Sequence, residues 1–345
     1  MEIIFILSGE HETLPKAEIT ACLEAENASF TVKYHNEGIL IIEIPDEETR
    51  MIHILGKKIA YTHEICNLLF ESKIDSLKDD IAQYPWNDII SKDYAVRVKK
   101  VGYDPEFNSQ NMEIEIGGII KEVLGKNAKV NLENPDTFLR IIVIDDKLFI
   151  SERLIKRAKK HYYELKPHKR PFFYPGSMSP KLARGMSNLA RVKEGSIVLD
   201  PFCGTGGILI EAGIIGGQVV GMDIDEKMVE GTKKNLSYCG INDYRVYQGD
   251  ARKIKLPFKV DAIVTDPPYG ISASTAGVES KTIYEDSLLA MQEIINPDGY
   301  ICMATPHYLD IKELVNHTKF KIIEQYEIRM HKSLTRVISV LTLEQ

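Results

Sequence analysis

Val198–Gly207, VLDPFCGTGG, decides the fold of this chain. A short apolar run ends in an acid and then in a turn whose glycines at 204, 206 and 207 allow a tight bend and close approach to a ligand. That is a strand feeding a ligand-binding turn. In an open parallel sheet such turns lie beyond the carboxyl ends of the strands, near the topological switch point. The spacing is not GxGxxG, because Leu209 stands where the third glycine would be, which argues against a dinucleotide.

The segments that follow repeat the strand–turn pattern. Gln218–Asp223, Tyr244–Gln248, Ala262–Thr265 and Tyr300–Ala304 read as further strands. Helices near Ile208–Ala212, Lys227–Tyr238 and Ser287–Ile294 alternate with some of them, and Lys321–Glu327 and Ser339–Leu343 read as a terminal hairpin. The pattern predicts an α/β, doubly wound, mostly parallel sheet. Three acids fall at successive strand ends: Asp200, Asp223 (placed to accept from a ribose diol) and Asp250 (suited to an adenine amino group). Turn-forming Asp and Gly residues are the bland alternative at each position, and their coincidence at one rim favours a cofactor site.

A second signature, DPPYG at Asp266–Gly270, falls at the same rim. The prolines stiffen the turn and donate no hydrogen bonds. The tip therefore presents a carboxylate, carbonyl oxygens and the Tyr269 ring. An exocyclic amine on a nucleobase is a poor nucleophile because its lone pair is delocalised into the ring. Acceptors on its N–H bonds localise that pair, and near-attack positioning supplies much of the remaining acceleration.

Upstream, Ile3–Leu7, Leu14–Ala25, Ser29–Tyr34, Gly38–Ile44, a helix from Pro45–Asp46 to about Leu55 and the strand Ile59–Leu68 give a β-α-β-β-α-β order, expected to be a ferredoxin-like domain over 1–72. A unit over 73–152 follows: a helix near Ile74–Gln83, a strand Tyr94–Lys100, a helix Gln110–Leu124 and a hairpin of Thr137–Ile144 with Lys147–Glu152. A basic linker at 153–170 and the α/β domain at 171–345 complete the division.

The net charge of −7 conceals an asymmetry. Residues 1–152 carry a net −12, whereas 153–170, RLIKRAKKHYYELKPHKR, hold eight bases against one acid. Local phosphate neutralisation, rather than the total, drives nucleic-acid binding. Lys156, Arg157, Lys159, Lys160, Lys166, Lys169 and Arg170, interleaved with tyrosines, are the candidate RNA contacts; a solvated connector is the alternative.

Several readings are expected to fail. The five cysteines are scattered without CxxC pairs, which argues against a metal site or disulfides and for a reducing cytoplasm. No apolar run spans a membrane, and MEIIFILSGEHE lacks the basic start of a signal peptide. Cys203 lies in the cofactor turn, and Pro-Pro stands where a covalent cytosine mechanism would want Pro-Cys. Trp86 is expected to anchor one domain to another, and Met178 and Met186 to sit in the core.

VLDPFCGTGG, GMDID, GDA and DPPYG resemble the class I S-adenosylmethionine-dependent methyltransferases that act on exocyclic amines. LSGEHETLPKAE (from Leu7), RPFFYPGSMSPKLARGMSNLA (from Arg170) and HKSLTRVI (from His331) narrow the resemblance to archaeal tRNA guanosine N2-methyltransferases that modify position 10. In that family the N-terminal half carries a THUMP domain, so the resemblance implies an RNA-binding THUMP region before a Rossmann-like methyltransferase domain. It also implies that Asp266 and the Pro267 carbonyl hold the guanine amino group while Tyr269 stacks on the base. Asp200, Phe202, Gly204, Gly206, Asp223, Asp250 and Ala251 are the expected S-adenosylmethionine contacts. The expected partner is tRNA, with no membrane, no metal and no obligate protein partner indicated. Adenine N6 methylation in DNA and a non-catalytic RNA-binding role are the alternatives.

Overall fold

The computed structural model describes residues 1–102, 104–125, 129–158, 160–269, 280–331 and 334–344. Its contacts divide the chain into two units: Met1–Glu10, Ser29–Gly56 and Thr62–Arg157 form the first, and His11–Ala28, Lys57–Tyr61 and Ala158–Gln345 the second.

In chain order the elements up to residue 156 are β1 (Glu2–Leu7), α1 (Leu14–Ala25), β2 (Thr31–His35), β3 (Ile39–Glu43), α2 (Arg50–Lys58), β4 (Thr62–Lys73), α3 (Leu77–Gln83), β5 (Asp93–Lys100), α4 (Ser109–Leu124), β6 (Lys129–Val130), β7 (Thr137–Ile144) and β8 (Lys147–Lys156). The strands make one eight-stranded sheet, β2-β3-β1-β4-β8-β7-β5-β6. Its first four strands pair antiparallel in the ferredoxin-like order. The β4–β8 pairing carries that sheet straight into the strands of the following region. Helix α4 starts where the Asn108 side chain accepts from the Asn111 N–H. It buries Ile116, Ile120 and Leu124 at four-residue spacing, and stops at Gly125, whose φ is +62°.

Three sequence expectations are corrected here. Proline and acids at 45–48 give a 3-10 turn (Asp46–Glu48) before α2, not a continuous helix. Strand β8 runs to Lys156, so the first four residues of the presumed linker belong to a sheet. Trp86 is no interdomain anchor: it is fully buried with Leu77, Ile81 and Tyr94 inside the first unit, and its Nε1 donates to the Ile81 carbonyl at 2.7 Å.

The second unit contains α1 together with α5 (Lys160–Glu164), α6 (Pro180–Leu189), β9 (Ile197–Asp200), α7 (Gly207–Ile215), β10 (Gln218–Asp223), α8 (Glu226–Tyr238), β11 (Tyr244–Gln248), β12 (Val260–Thr265), α9 (Ser280–Ile294), β13 (Ile295–Pro306), α10 (Ile311–Val315), β14 (Phe320–His331) and β15 (Leu334–Leu343). The sheet order is β11-β10-β9-β12-β13-β15-β14. The first five strands run parallel, and β15 is inserted antiparallel between β13 and β14. Successive strand residues alternate between two cores. Val198, Val219 and Val264 face a core shared with α6, α7 and α8, whereas Leu199, Val220 and Ile263 face one shared with α9 and α10. Met178 and Met186 are buried in the first of these, as expected.

Helix α1 was expected in the N-terminal domain but is held in this second unit by a buried carboxylate. Glu18 accepts from the backbone N–H groups of Ala60 and Tyr61, both at 2.8 Å, and from Asn188 Nδ2 at 2.7 Å. One helix face later, the buried Arg184 pairs with Glu211 of α7 at 2.8 Å and donates to the Lys57 carbonyl at 3.1 Å. Most polar atoms of this buried network are bonded, although Asn188 Oδ1 and Glu211 Oε1 have no hydrogen-bond partner among the described residues.

Candidate active site

The parallel order puts β9 at the switch point between β10 and β12, and four strand ends converge there. Asp200 ends β9, fully buried; its Oδ1 accepts from the Thr265 hydroxyl at 2.8 Å and the Phe202 N–H at 3.1 Å. Burial pushes its carboxyl up to about 7, with the hydrogen bonds from Thr265 and Phe202 opposing. Asp223 ends β10 and accepts the Gly204 N–H on Oδ2 at 2.8 Å and the Asp225 N–H on Oδ1 at 3.0 Å. Each oxygen keeps a lone pair for a ligand hydroxyl, and burial raises this carboxyl above the usual range. Gly204 and Gly206 have φ of +51° and +79°, conformations that a Cβ disfavours. A Cβ on Gly206 would stand 2.9 Å from Thr232 Cγ2, and Thr232 Oγ1 donates to the Gly204 carbonyl at 2.7 Å. Asp250 is gripped by Arg252 at 2.7 Å, and that hydrogen bond holds its carboxyl below the ordinary range.

All seven expected cofactor residues except Gly206 line one cavity of about 540 Å³, together with Asp266, Pro267 and Tyr269. Gly206 shapes the turn beneath it. The fit to S-adenosylmethionine is chemical as well as spatial: Asp223 supplies acceptors for a diol, and Asp200, Asp223, Asp250 and Asp266 give the cavity an acidic lining suited to a sulfonium cation. Cys203 is buried and its thiol is raised well above the ordinary value by that burial, which leaves it inert.

Asp266 follows β12 and is bonded on both oxygens. The Tyr269 hydroxyl donates to Oδ1, and Arg336 Nη2 lies 2.9 Å from Oδ2. Arg336 Nε also donates to the Tyr269 oxygen at 2.6 Å. Burial raises the Asp266 carboxyl and Arg336 opposes that rise. The Pro267 carbonyl accepts from the buried Tyr284 hydroxyl at 3.3 Å, and Tyr308 donates to the Tyr269 carbonyl at 2.8 Å. Arg336, Tyr284 and Tyr308 were missed by motif reading. The signal for Arg336 is its place in β15, where Arg336, Ile338 and Val340 share one face and only the arginine is polar.

The basic residues do not act as one patch. Lys156, Lys160, Lys166 and Lys169 are exposed, and Lys169 Nζ sits 3.3 Å from the centre of the Tyr163 ring. Arg157 is half-buried and donates to the Gly56 carbonyl. Arg170 is a correction: it is buried, its Nε donates to the Leu165 carbonyl at 2.9 Å, and its guanidinium packs beside Gly207. Its burial sets Arg170 apart from the exposed lysines of the stretch. In the first unit, Lys156 lines a cavity of about 330 Å³ with Arg97, Arg140 and Arg153. Lys159, Gly270, residues 271–279 and residues 332–333 lie outside the described residues. Among the described residues, no helix is long and apolar enough to cross a membrane, and no cluster of metal-ligating side chains occurs.

A parallel sheet with acids at three successive strand ends, beside an Asp-Pro-Pro-Tyr tip, defines an S-adenosylmethionine-dependent methyltransferase of class I. Residues 167–338 match the RMKL-like methyltransferase domain family, and residues 71–152 match the THUMP domain. Over 99% of each chain the sequence is 48% identical to the tRNA (guanine(10)-N2)-dimethyltransferase of Methanothermobacter thermautotrophicus. It is 40% identical to the enzyme of that name from Methanocaldococcus jannaschii, over 97% of this chain and 98% of the other. The crystal structure of TrmN from Thermus thermophilus shares the fold over the full length of both chains, with a TM-score of 0.59 at 20% identity. The chain belongs to the family of archaeal tRNA (guanine(10)-N2)-dimethyltransferases.

Proposed function

We infer that this protein transfers methyl groups from S-adenosylmethionine to the N2 amine of a guanosine in tRNA, at position 10 as in the names of its relatives. The observation that carries the reading is the placement of the Asp266 carboxylate and the Pro267 carbonyl in the same cavity as Asp223. S-adenosylmethionine, when bound, supplies an electrophilic methyl group; Asp223 and the Gly204 turn would hold it. The Asp266 oxygens and the Pro267 carbonyl accept the two amine hydrogens, turning the nitrogen lone pair out of conjugation. Tyr269 supplies the ring against which the base packs. Extruding a guanosine from structured RNA costs a few kcal/mol, so the RNA must be gripped elsewhere. The THUMP region and the exposed Lys156, Lys160, Lys166 and Lys169 are the elements assigned to that grip. Lys159 belongs with them on sequence grounds alone. Free cysteines, four of the five buried, and a tRNA substrate support a cytoplasmic location.

The test is nucleoside mass spectrometry of tRNA transcripts incubated with the protein and S-adenosylmethionine. N2-methylated guanosine is expected with the wild type and none with Asp266→Ala, which retains cofactor binding. Full activity in that variant, or methyl transfer to adenine in duplex DNA instead, overturns the reading.

A further inference from the structure

A second cavity of about 480 Å³ opens beside the methyl-transfer pocket. The two share Gly176, Ser177, Leu334 and Arg336 as walls. Their electrostatics are opposite. The methyl-transfer pocket is lined by five carboxylates, those of Asp200, Asp223, Asp225, Asp250 and Asp266, against two arginines, Arg252 and Arg336. The second cavity is lined by Tyr162, Lys166, His168, Lys181 and Arg336, with no carboxylate among its described lining residues.

A nucleotide inserted base-first must leave its phosphodiester outside the acid-rich pocket, because like charge raises the energy of an anion there. A neighbouring cavity with a shared wall, whose charged lining side chains are all basic, is where that anion is stabilised. The cations are also steadied: Lys181 Nζ lies 4.7 Å from the centre of the Tyr61 ring, and Lys166 Nζ lies 5.1 Å from that of Tyr163. Ring contacts reduce the rotamer freedom that a lysine loses on meeting a phosphate.

We propose that this second cavity is the seat of the phosphodiester flanking the extruded guanosine, with Lys166 and Lys181 as its phosphate contacts. The inference rests on the reading of the chain as a tRNA guanosine methyltransferase. It adds a subsite contributed by the catalytic unit itself, distinct from any RNA contact made by the THUMP region.

The experiment uses the full-length protein, tRNA transcripts and the variants Lys166→Gln, Lys181→Gln and their combination. Phosphate-ethylation interference identifies the phosphates whose modification excludes tRNA from the bound fraction. With the wild type, ethylation beside the methylated guanosine is expected to interfere; with the double variant, interference at that phosphate alone disappears. The KM for tRNA rises about tenfold or more, and the slope of log affinity against log salt falls by about one per lysine lost. S-adenosylmethionine affinity is measured alongside, and its retention shows that the variants are folded. If the double variant perturbs that affinity, the single variants carry the test. An unchanged interference pattern with an unchanged KM, in a protein whose wild type forms N2-methylguanosine, overturns the subsite alone. A wild type that methylates no tRNA guanosine overturns the parent reading and the subsite together.

Discussion

Replacing Arg336 by alanine tests the electrostatics on which the site depends. Its guanidinium lies 2.9 Å from Asp266, and the two side chains are only 8% and 16% exposed. Unit charges about 4 Å apart at an effective dielectric of about 20 interact by about 4 kcal/mol. Measured losses on breaking a buried pair are about 3–5 kcal/mol. At about 1.4 kcal/mol per factor of ten, protonation of Asp266 becomes up to about a thousandfold easier. Burial already pushes Asp266 upward, and the guanidinium is the largest influence holding it down. On the proposed role of the ionised carboxylate as amine acceptor, activity is present above its pKa and lost as pH falls through it. Removing Arg336 raises that pKa and moves the acid limb of the rate profile to higher pH. Methyl transfer to tRNA, followed by labelled S-adenosylmethionine from about pH 6 to about pH 9.5, is the assay. For Arg336→Ala the expected kcat/KM at pH 7 is below wild type by up to about 10³, recovering toward alkaline pH. Arg336→Lys should restore most of it, since lysine keeps the charge and loses only the fork. A loss by the same factor at every pH would refute the argument, because it would mean that Arg336 shapes the site without setting the charge of Asp266.

Two further expectations follow from buried groups at the same rim. Asp200 has its carboxyl raised from 3.8 to about 7, so the stability it contributes is complete below pH 4 and is lost as pH rises through about 7. That difference corresponds to roughly 4 kcal/mol. Asp200→Asn keeps an oxygen acceptor for Thr265 and Phe202, so its urea midpoint should exceed that of the wild type by a margin that grows between pH 5 and pH 8. A constant margin would refute the raised pKa. Gly206→Ala adds a left-handed alanine, about 1–2 kcal/mol, and a Cβ 2.9 Å from Thr232 Cγ2, so thermal unfolding should show a loss of about 2–4 kcal/mol. Cofactor affinity should fall with it, and an unchanged melting temperature would show that the turn relaxes freely.

The parts of the site that could be read from sequence are those set locally. A strand that ends in Asp, in a sheet whose parallel order follows from strand–helix alternation, delivers its carboxylate to a known rim. Asp200, Asp223, Asp250 and Asp266 therefore fell into place without coordinates. Arg336 could not be placed the same way: it reaches Asp266 only because β15 inserts antiparallel beside β13, a pairing that no short-range pattern encodes. Helix α1 illustrates the same limit. Its β-α-β-β-α-β context assigns it to the N-terminal domain, yet Glu18 sits on the face that also buries Leu14, Ala21 and Cys22. A carboxylate in the middle of an apolar stripe was the available sign that the helix meets exposed backbone donors elsewhere. Arg170 differs for the opposite reason, since composition counts charges and is blind to burial: it directly follows the 3-10 turn Pro167–Lys169 and is buried.

The hydrogen bonds of Asp266 also explain how one carboxylate can serve both the empty and the occupied pocket. A buried acceptor left without a donor costs about 1–3 kcal/mol, more when charged. In this structure the Tyr269 hydroxyl and the Arg336 guanidinium fill that need. A guanine amine brings an N–H of similar strength, so its exchange for the tyrosine hydroxyl is nearly neutral, about 0.5–1.5 kcal/mol either way. The displaced hydroxyl remains within reach of Arg336 Nε, already bonded to it at 2.6 Å, and the ring is released to lie against the base. Water offers the carboxylate a hydrogen bond but nothing for the ring to stack on. On the proposed roles of Asp266 and Tyr269, the aromatic face of the substrate, added to a neutral exchange of donors, is therefore what favours a nucleobase over water in this site.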